Sequence, residues 1–304
     1  MQAPQGGSER PTLAVVALVF NAMVWGVSWW PLREVQAHGL HPLWSTVLIY
    51  LLATLGVLAY RPQAWRGLIQ HPGLLLLLLA SGLTNVSFNW AVTVGDVVRV
   101  VLLFYLMPAW SVLIAWLLLN EKPSTGSLLR LLLALVGVVI VLKSPASAWP
   151  VPASLADWMA LLGGLFFALT NVLLRKHGQT PGESRMLAMF GGGAIIASIA
   201  AGVGMSVHMV PEPVFALAGV PAALGLCMAF LVGNMALQYG AARLAASTTA
   251  LIMLTEILFA SASSAWLGAA EFSARTLTGG ALIVLAALLA ALAPAPAQAE
   301  SRTA

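Results

Sequence analysis

GLLLLLLASGLTNVSFNWAVTVGDVVRVVLLFYLMPAWSVLIAWLLLNE, residues Gly73 to Glu121, is two long apolar runs joined by the turn Gly95-Asp96. A bilayer core of ~30 Å takes about 20 apolar residues per helix. Each run meets that length. A membrane β-barrel would alternate polar and apolar residues in short segments, and these runs do not. The stretch reads as a helical hairpin in a membrane. Its first arm carries Asn85 and Asn89, four residues apart and so on one helix face. Its second arm carries Tyr105 and Pro108 and closes on Asn120-Glu121.

The hairpin is written twice. About 149 residues later Asn234 and Gln238 repeat the paired amides. Thr255-Glu256 then stands where Met107-Pro108 would fall, and Glu271 ends the unit. An amide in hydrocarbon is costly unless it faces protein or a wet cavity. Two polar faces at matching places in two halves predict one site built between them.

The whole chain agrees. Its 304 residues are 60% hydrophobic and 8% charged, with a mean hydropathy of +0.93. A soluble domain carries roughly 25% charged residues. This composition therefore predicts an all-α integral membrane protein. Ten spans are predicted, at 12–32, 42–60, 73–94, 98–119, 127–143, 154–174, 185–207, 214–238, 245–268 and 274–293. Residues 1–11 read as a cytoplasmic N-terminal segment and 144–153 as a periplasmic linker. Residues 294–304 read as a disordered cytoplasmic tail. The first apolar run is too long for a signal-peptide core and is read as a retained span.

With the N-terminus inside, ten Lys or Arg fall in the cytoplasm and four outside. That bias puts both termini in the cytoplasm of an inner membrane. The net charge of +4 is spent on this topology. There is no basic stripe with interleaved aromatics, so nucleic acid is not the partner.

Five spans per half make the second half enter from the opposite side, so the repeat is inverted: 12–143 against 154–293. Spans 1 and 6 show it at an offset of 142. Trp25-Gly26-Val27-Ser28 matches Phe167-Ala168-Leu169-Thr170, and Leu32-Arg33 matches Leu174-Arg175. Inverted repeats are a feature of secondary transporters, whose solute site lies near the midplane.

The chain resembles the drug/metabolite transporter superfamily, of the ten-span EamA type. The residues that carry this are Trp25-Gly26-Val27-Ser28, Leu106-Met107-Pro108 with Asn120-Glu121-Lys122, and Thr255-Glu256 with Glu271 and Gly279-Gly280-Ala281-Leu282-Ile283. The resemblance spans about residues 12 to 293. It implies a 5+5 inverted-repeat basket that exports small metabolites, amino acids or drugs through a cavity between spans 1, 3, 4, 6, 8 and 9. Members often follow the span-9 Glu with Pro; here Ile257 follows.

The candidate site residues have bland readings as well. Glu256 lies at the centre of span 9. A charge there costs at least ~2.5–3.5 kcal/mol. It either couples transport to a proton, contacts a substrate ammonium, or pins helices by bonding a backbone carbonyl or Tyr105. Asn85, Asn89, Asn234 and Gln238 offer donors and acceptors to a zwitterion, or act as interhelical glue worth ~0.6 kcal/mol each. Trp25, Ser28, Phe167, Thr170 and Asn171 form matched faces on spans 1 and 6. They line the cavity or pack helices. Tyr105 on the central hairpin is a further candidate wall. Asp96 and Arg99 read as a solvated pair at the outer turn, and Arg33 and Arg175 as snorkelling ends. Gly137 and Gly279-Gly280 suit close packing of spans 5 and 10, which serve as scaffold or dimer contact.

Enzyme classes find little support. All five histidines fall in loops or at span ends, no His-Glu-x-x-His helix exists, and Glu256 has no second acid at its depth. The one cysteine, Cys227, gives no disulfide and no cysteine-based metal site. No Gly-rich phosphate loop makes the chain an ATPase. No cofactor is expected. The sequence reading is a secondary transporter whose partners are a small-molecule solute, the lipid bilayer and a proton. Amino acids come first as solute, cationic drugs second, and an uncoupled facilitator is the rival mechanism.

Overall fold

A computed structural model of the chain describes residues 11–119, 124–143, 151–214, 216–241, 252–253, 255–269 and 273–291. Every regular element among them is helical. In order they are α1 (Pro11–Val27), α2 (Trp29–Ala37), α3 (Pro42–Tyr60), α4 (Ala64–Gln70) and α5 (Gly73–Val94). Next come α6 (Val97–Phe104), α7 (Met107–Leu119), α8 (Thr125–Leu142), α9 (Leu155–Lys176) and α10 (Gly182–Ser206). A 3-10 turn (Leu217–Gly219), α11 (Val220–Ala241), α12 (Thr255–Trp266) and α13 (Ala274–Ala291) complete them.

Seven segments are long and apolar enough to cross a membrane, counting α1 with α2 and α6 with α7 as single spans. Two shorter apolar helices, Leu128–Ile140 and Leu277–Ala286, lie where spans 5 and 10 are expected. Of the expected ninth span, residues 245–251 and 254 lie outside the described residues. So do Asn120, Glu121, Lys122 and Glu271. Leucines such as Leu55, Leu75 and Leu129 stay exposed on the outside of the bundle. An apolar surface of that extent belongs in lipid, and the chain is a multi-pass membrane protein.

Two of the spans are broken, each for a local reason. Pro108 has no N–H, so the carbonyl of Phe104, four residues back, loses its helical partner. The chain turns at Tyr105-Leu106 and restarts at Met107. Gly164 of α9 crosses there; a Cβ on it would lie 2.4 Å from the Phe104 oxygen. In the first span the break falls at Ser28, ahead of Pro31. The Ser28 hydroxyl donates to the Trp25 carbonyl at 2.8 Å and so satisfies an oxygen at the break.

The helices pack in matched pairs. α1 packs on α11, and α5 on α9. α1 packs on α12, and α6 and α7 on α9. α3 packs on α11, and α5 on α10. Three further pairs, α3 with α10, α6 with α12 and α8 with α13, complete the set. In the last pair Gly137 meets the backbone of Gly279, so these glycines serve a contact within the chain. Below, the end of the bundle holding Gly73, His177 and Gly240 is the lower end. The end holding Ala37, Val94, Leu155 and Trp266 is the upper end.

Hydrocarbon offers helices no hydrophobic drive to associate, so close backbone contact must do that work. The α5/α10 crossing is the tightest example. A Cβ on Gly82 would stand 2.4 Å from the Gly192 oxygen, and one on Gly192 would stand 2.1 Å from the Leu78 oxygen. The obstacle is backbone in both directions and cannot swing aside. Gly192→Leu should therefore cost at least ~3 kcal/mol. It should abolish the folded, monodisperse protein in detergent, read by size-exclusion chromatography and thermal melting. Gly202→Leu, at a site with nothing within 4 Å, should leave both readouts unchanged.

Candidate functional site

A cavity lies where α1, α5, α6, α9, α11 and α12 converge; about 570 Å³ there, open solvent included, is unoccupied by atoms. From α1 it is lined by Asn21 and Trp25, and from α5 by Ser81, Thr84, Asn85 and Phe88. α6 gives Phe104, and α9 gives Phe167 and Thr170. Met189, Asn234, Leu237, Met253 and Glu256 complete the wall. Six of these were expected from the sequence: Trp25, Asn85, Phe167, Thr170, Asn234 and Glu256.

The upper side of the cavity is a layer of rings. Trp25 stacks on Phe230 with centroids 4.7 Å apart and meets Phe88 edge-on at 5.8 Å. Phe88 meets Phe104 at 4.8 Å, and Phe104 meets Phe167 at 5.3 Å. Above the rings, Trp29, Leu32, Ala91, Val101, Ala160 and Ala260 are all buried. The half-exposed lining residues are Trp25, Phe167, Met189, Asn234, Leu237 and Met253. The packing above the rings is closed.

Polar contacts hold that upper seal. The Arg33 guanidinium turns inward, donating to the carbonyls of Val92, Thr93 and Gly95 at the end of α5. It does not simply snorkel, as its place at a span end suggested. Those carbonyls are the orphan acceptors of a helix C-terminus, which a cation complements. The Trp29 indole donates to Ser263 Oγ at 3.0 Å, tying α2 to α12. Arg99 reaches Asp157 of α9 through two bonds of 2.8 and 2.9 Å. The Asp157 side chain is only 3% exposed and that of Arg99 26%, so the pair is buried at its acid and half-buried at its base, and is not the solvated Asp96–Arg99 pair expected. Asp96 instead caps α6, accepting from the Arg99 backbone N–H at 2.7 Å.

Glu256 is buried and lines the cavity. The Tyr105 hydroxyl lies 2.9 Å from Glu256 Oε2 and 2.9 Å from the Met253 carbonyl. Tyr105 thus positions the acid and is not itself part of the lining. The partner named for the helix-pin reading is present, and the acid still faces the cavity.

The amides separate. Asn85 lines the cavity while its Oδ1 accepts from the buried Tyr50 hydroxyl at 2.8 Å. Asn89, one turn above, is fully buried and donates to Thr46 Oγ1 at 3.2 Å, joining α5 to α3. Ser28 is spent on the Trp25 carbonyl, and Asn171 is exposed with its amide 3.9 Å from Met107 Sδ. The Gln238 side chain lies outside the described residues.

Asn21, Ser81, Thr84, Phe88 and Phe104 are lining residues that sequence reasoning missed. Helical spacing could have found two of them. Asn21 precedes Trp25 by four and Ser81 precedes Asn85 by four. Asn21 is fully buried, its amide 3.4 Å from Met253 Sδ, with no partner for its Oδ1 among the described residues. Thr170 is 1% exposed, and its hydroxyl likewise lacks a partner. Three or more His, Cys, Asp or Glu never gather into a metal-sized cluster among the described residues.

Comparison with known proteins adds a family. The profile of the EamA-like transporter family matches residues 12–143. No curated protein sequence matches the chain. One crystal structure covers 91% of this chain with 96% of its own, at a TM-score of 0.56 and 18% identity. At that identity the likeness shows a shared fold and nothing finer. The apolar helices of residues 12–143 agree with that match: this segment is similar to the EamA-like transporter family.

Proposed function

We propose that the chain is a secondary transporter that exports a small amphipathic solute by alternating access. The observation that carries this reading is the cavity, lined by polar side chains and aromatic rings, with closed packing above the rings; in this reading it opens below. Amino acids, implied by the family resemblance, head the panel of solutes to be tried. The bias of basic residues makes the lower end cytoplasmic. The cavity is then loaded from the cytoplasm, as an exporter requires.

The matched helix pairs support a 5+5 inverted repeat. Exchanging the halves turns the α1/α11 contact into α5/α9, and the α1/α12 contact into that of α6 and α7 with α9. The departure from symmetry is informative. α2 packs on α5 near the upper end, whereas α9 and α11 show no comparable packing near the lower end among the described residues. In an inverted repeat those two contacts exchange when the access side changes. The upper seal would open as the lower one forms.

Glu256 is the coupling residue in this reading. Proteoliposome flux tests it: solute movement driven by an imposed pH gradient should fall ten-fold or more in Glu256→Gln. Saturable flux that ignores both the gradient and the substitution would make the protein a facilitator and Glu256 a helix pin. Failure of every solute in the panel to move would overturn the transporter reading.

The seal gives a second prediction. Arg33→Gln removes the charge that gathers three carbonyls of α5. It should shift the population toward the upper-open form. In a Cys227→Ala background, a cysteine at Asn85 should react with an impermeant maleimide from the cytoplasmic face. Adding Arg33→Gln should slow that reaction at least three-fold and raise labelling from the other face. Unchanged rates on both faces would remove Arg33 from the gate.

A further inference from the structure

We propose that the cavity is built for a primary ammonium on an apolar or aromatic body, and that it discriminates against a solute carrying a carboxylate. The inference rests on the transporter reading of the same cavity and names the solute class. It starts from Thr170. A threonine inside a helix ordinarily folds its hydroxyl onto the carbonyl four residues back. Thr46, Thr54, Thr84 and Thr278 all do so, at 2.7 to 2.9 Å. Thr170 does not, although it is 1% exposed and sits in the cavity wall. A buried hydroxyl left without a partner is costly unless a ligand supplies one.

Asn21 repeats the pattern across the cavity. It is fully buried, and its Oδ1 has no partner among the described residues. Its amide orientation is fixed by chemistry: the NH2 end faces Met253 Sδ at 3.4 Å, a weak acceptor that the oxygen could not use. Glu256 adds a carboxyl to the same wall. The lining residues thus include an amide, a hydroxyl and a carboxyl whose oxygens can each accept a hydrogen bond.

Positive charge is scarce by contrast, although the Asn234 amide, an uncharged donor, also lines the cavity. The lining includes no Lys, Arg or His among the described residues. The Ser81 hydroxyl is spent on the Met189 carbonyl and that of Thr84 on the Ala80 carbonyl. The Asn85 amide leans toward Ser81 Oγ at 3.5 Å. An ammonium has three donors and no acceptor. It matches three acceptors in charge and in count, and charge-assisted bonds in a dry site are strong. The Trp25, Phe88 and Phe104 rings above would hold the apolar body, and Trp25 presents a ring to the cation. A carboxylate would enter beside Glu256 with no cation to meet it.

Three probes with one phenylethyl body separate the cases: phenethylamine, phenylalanine and 3-phenylpropionate. Binding is read by calorimetry on the full chain in detergent micelles, and movement by proteoliposome flux. Phenethylamine should bind at least ten-fold more tightly than phenylalanine, with 3-phenylpropionate weakest. Thr170→Val and Asn21→Leu should each weaken the amine at least five-fold, while Thr170→Ser, which keeps the hydroxyl, should not. Phenylalanine binding as tightly as the amine would overturn the proposal, as would amine affinity unchanged in both variants or no binding of any probe. Amine binding without flux would leave the site standing and overturn the transport reading. Flux of amino acids without amine binding would do the reverse.

Discussion

A polar group inside a bilayer has no water to fall back on, so it must find its partner within the protein or on what the protein carries. That constraint organises this molecule. Where the backbone breaks, at Ser28 and at Pro108, carbonyls are covered: that of Trp25 accepts from both the Ser28 hydroxyl and the Ser28 N–H, and Gly164 lies against that of Phe104. Where α5 ends, Arg33 covers its last carbonyls. Where Asp157 is buried, Arg99 covers it, and Ser154 and Ala153 complete the start of α9. The polar atoms left over lie either against packed neighbours, as Asn89 Oδ1 does, or in the cavity wall, as Asn21 Oδ1 and the Thr170 hydroxyl do.

The same constraint made the fold largely legible. Apolar run length gave the spans, and each described span lies within a few residues of its expected range. The glycines expected to let spans 5 and 10 approach meet each other across that contact. Less visible were the breaks inside spans 1 and 4. Hydropathy alone is blind to a kink, because the residues on both sides are equally apolar. Pro31 and Pro108 were the available signs.

The site was legible in part, and the misses share a cause. An amide in an apolar run announces that it needs a partner, but not which one. Asn85 and Asn89 share a helix face, yet one turn of height separates cavity from contact. At the level of Asn85 the neighbouring helices leave space; at the level of Asn89, Thr46 fills it. Arg33 and Arg99 were read as surface charges because they stand at span ends. Their partners, the end of α5 and Asp157, come from segments distant in sequence, at separations of about 60 residues. Asn21 was overlooked because it stands alone, without a second amide at helical spacing.

The two halves also use matching positions differently, and the difference has direction. Ser28 and Thr170 occupy the same place in the repeat. Ser28 lies at a broken helix, with its hydroxyl committed to the Trp25 carbonyl. Thr170 lies in an unbroken helix of the cavity wall, with its buried hydroxyl lacking a partner among the described residues. Glu256 and the Met107-Pro108 stretch stand in the same relation: one half carries the acid, the other the break. A perfectly symmetric basket would place equal polar groups on both sides of its axis and hold a small solute in two equivalent poses. Here the acid of α12 and the open hydroxyl of α9 belong to the second half, while the amide oxygen of Asn21 comes from the first. In the proposed inverted repeat the two halves would supply the cavity, and the departures from symmetry would give it a polarity that a solute with one charged end can read.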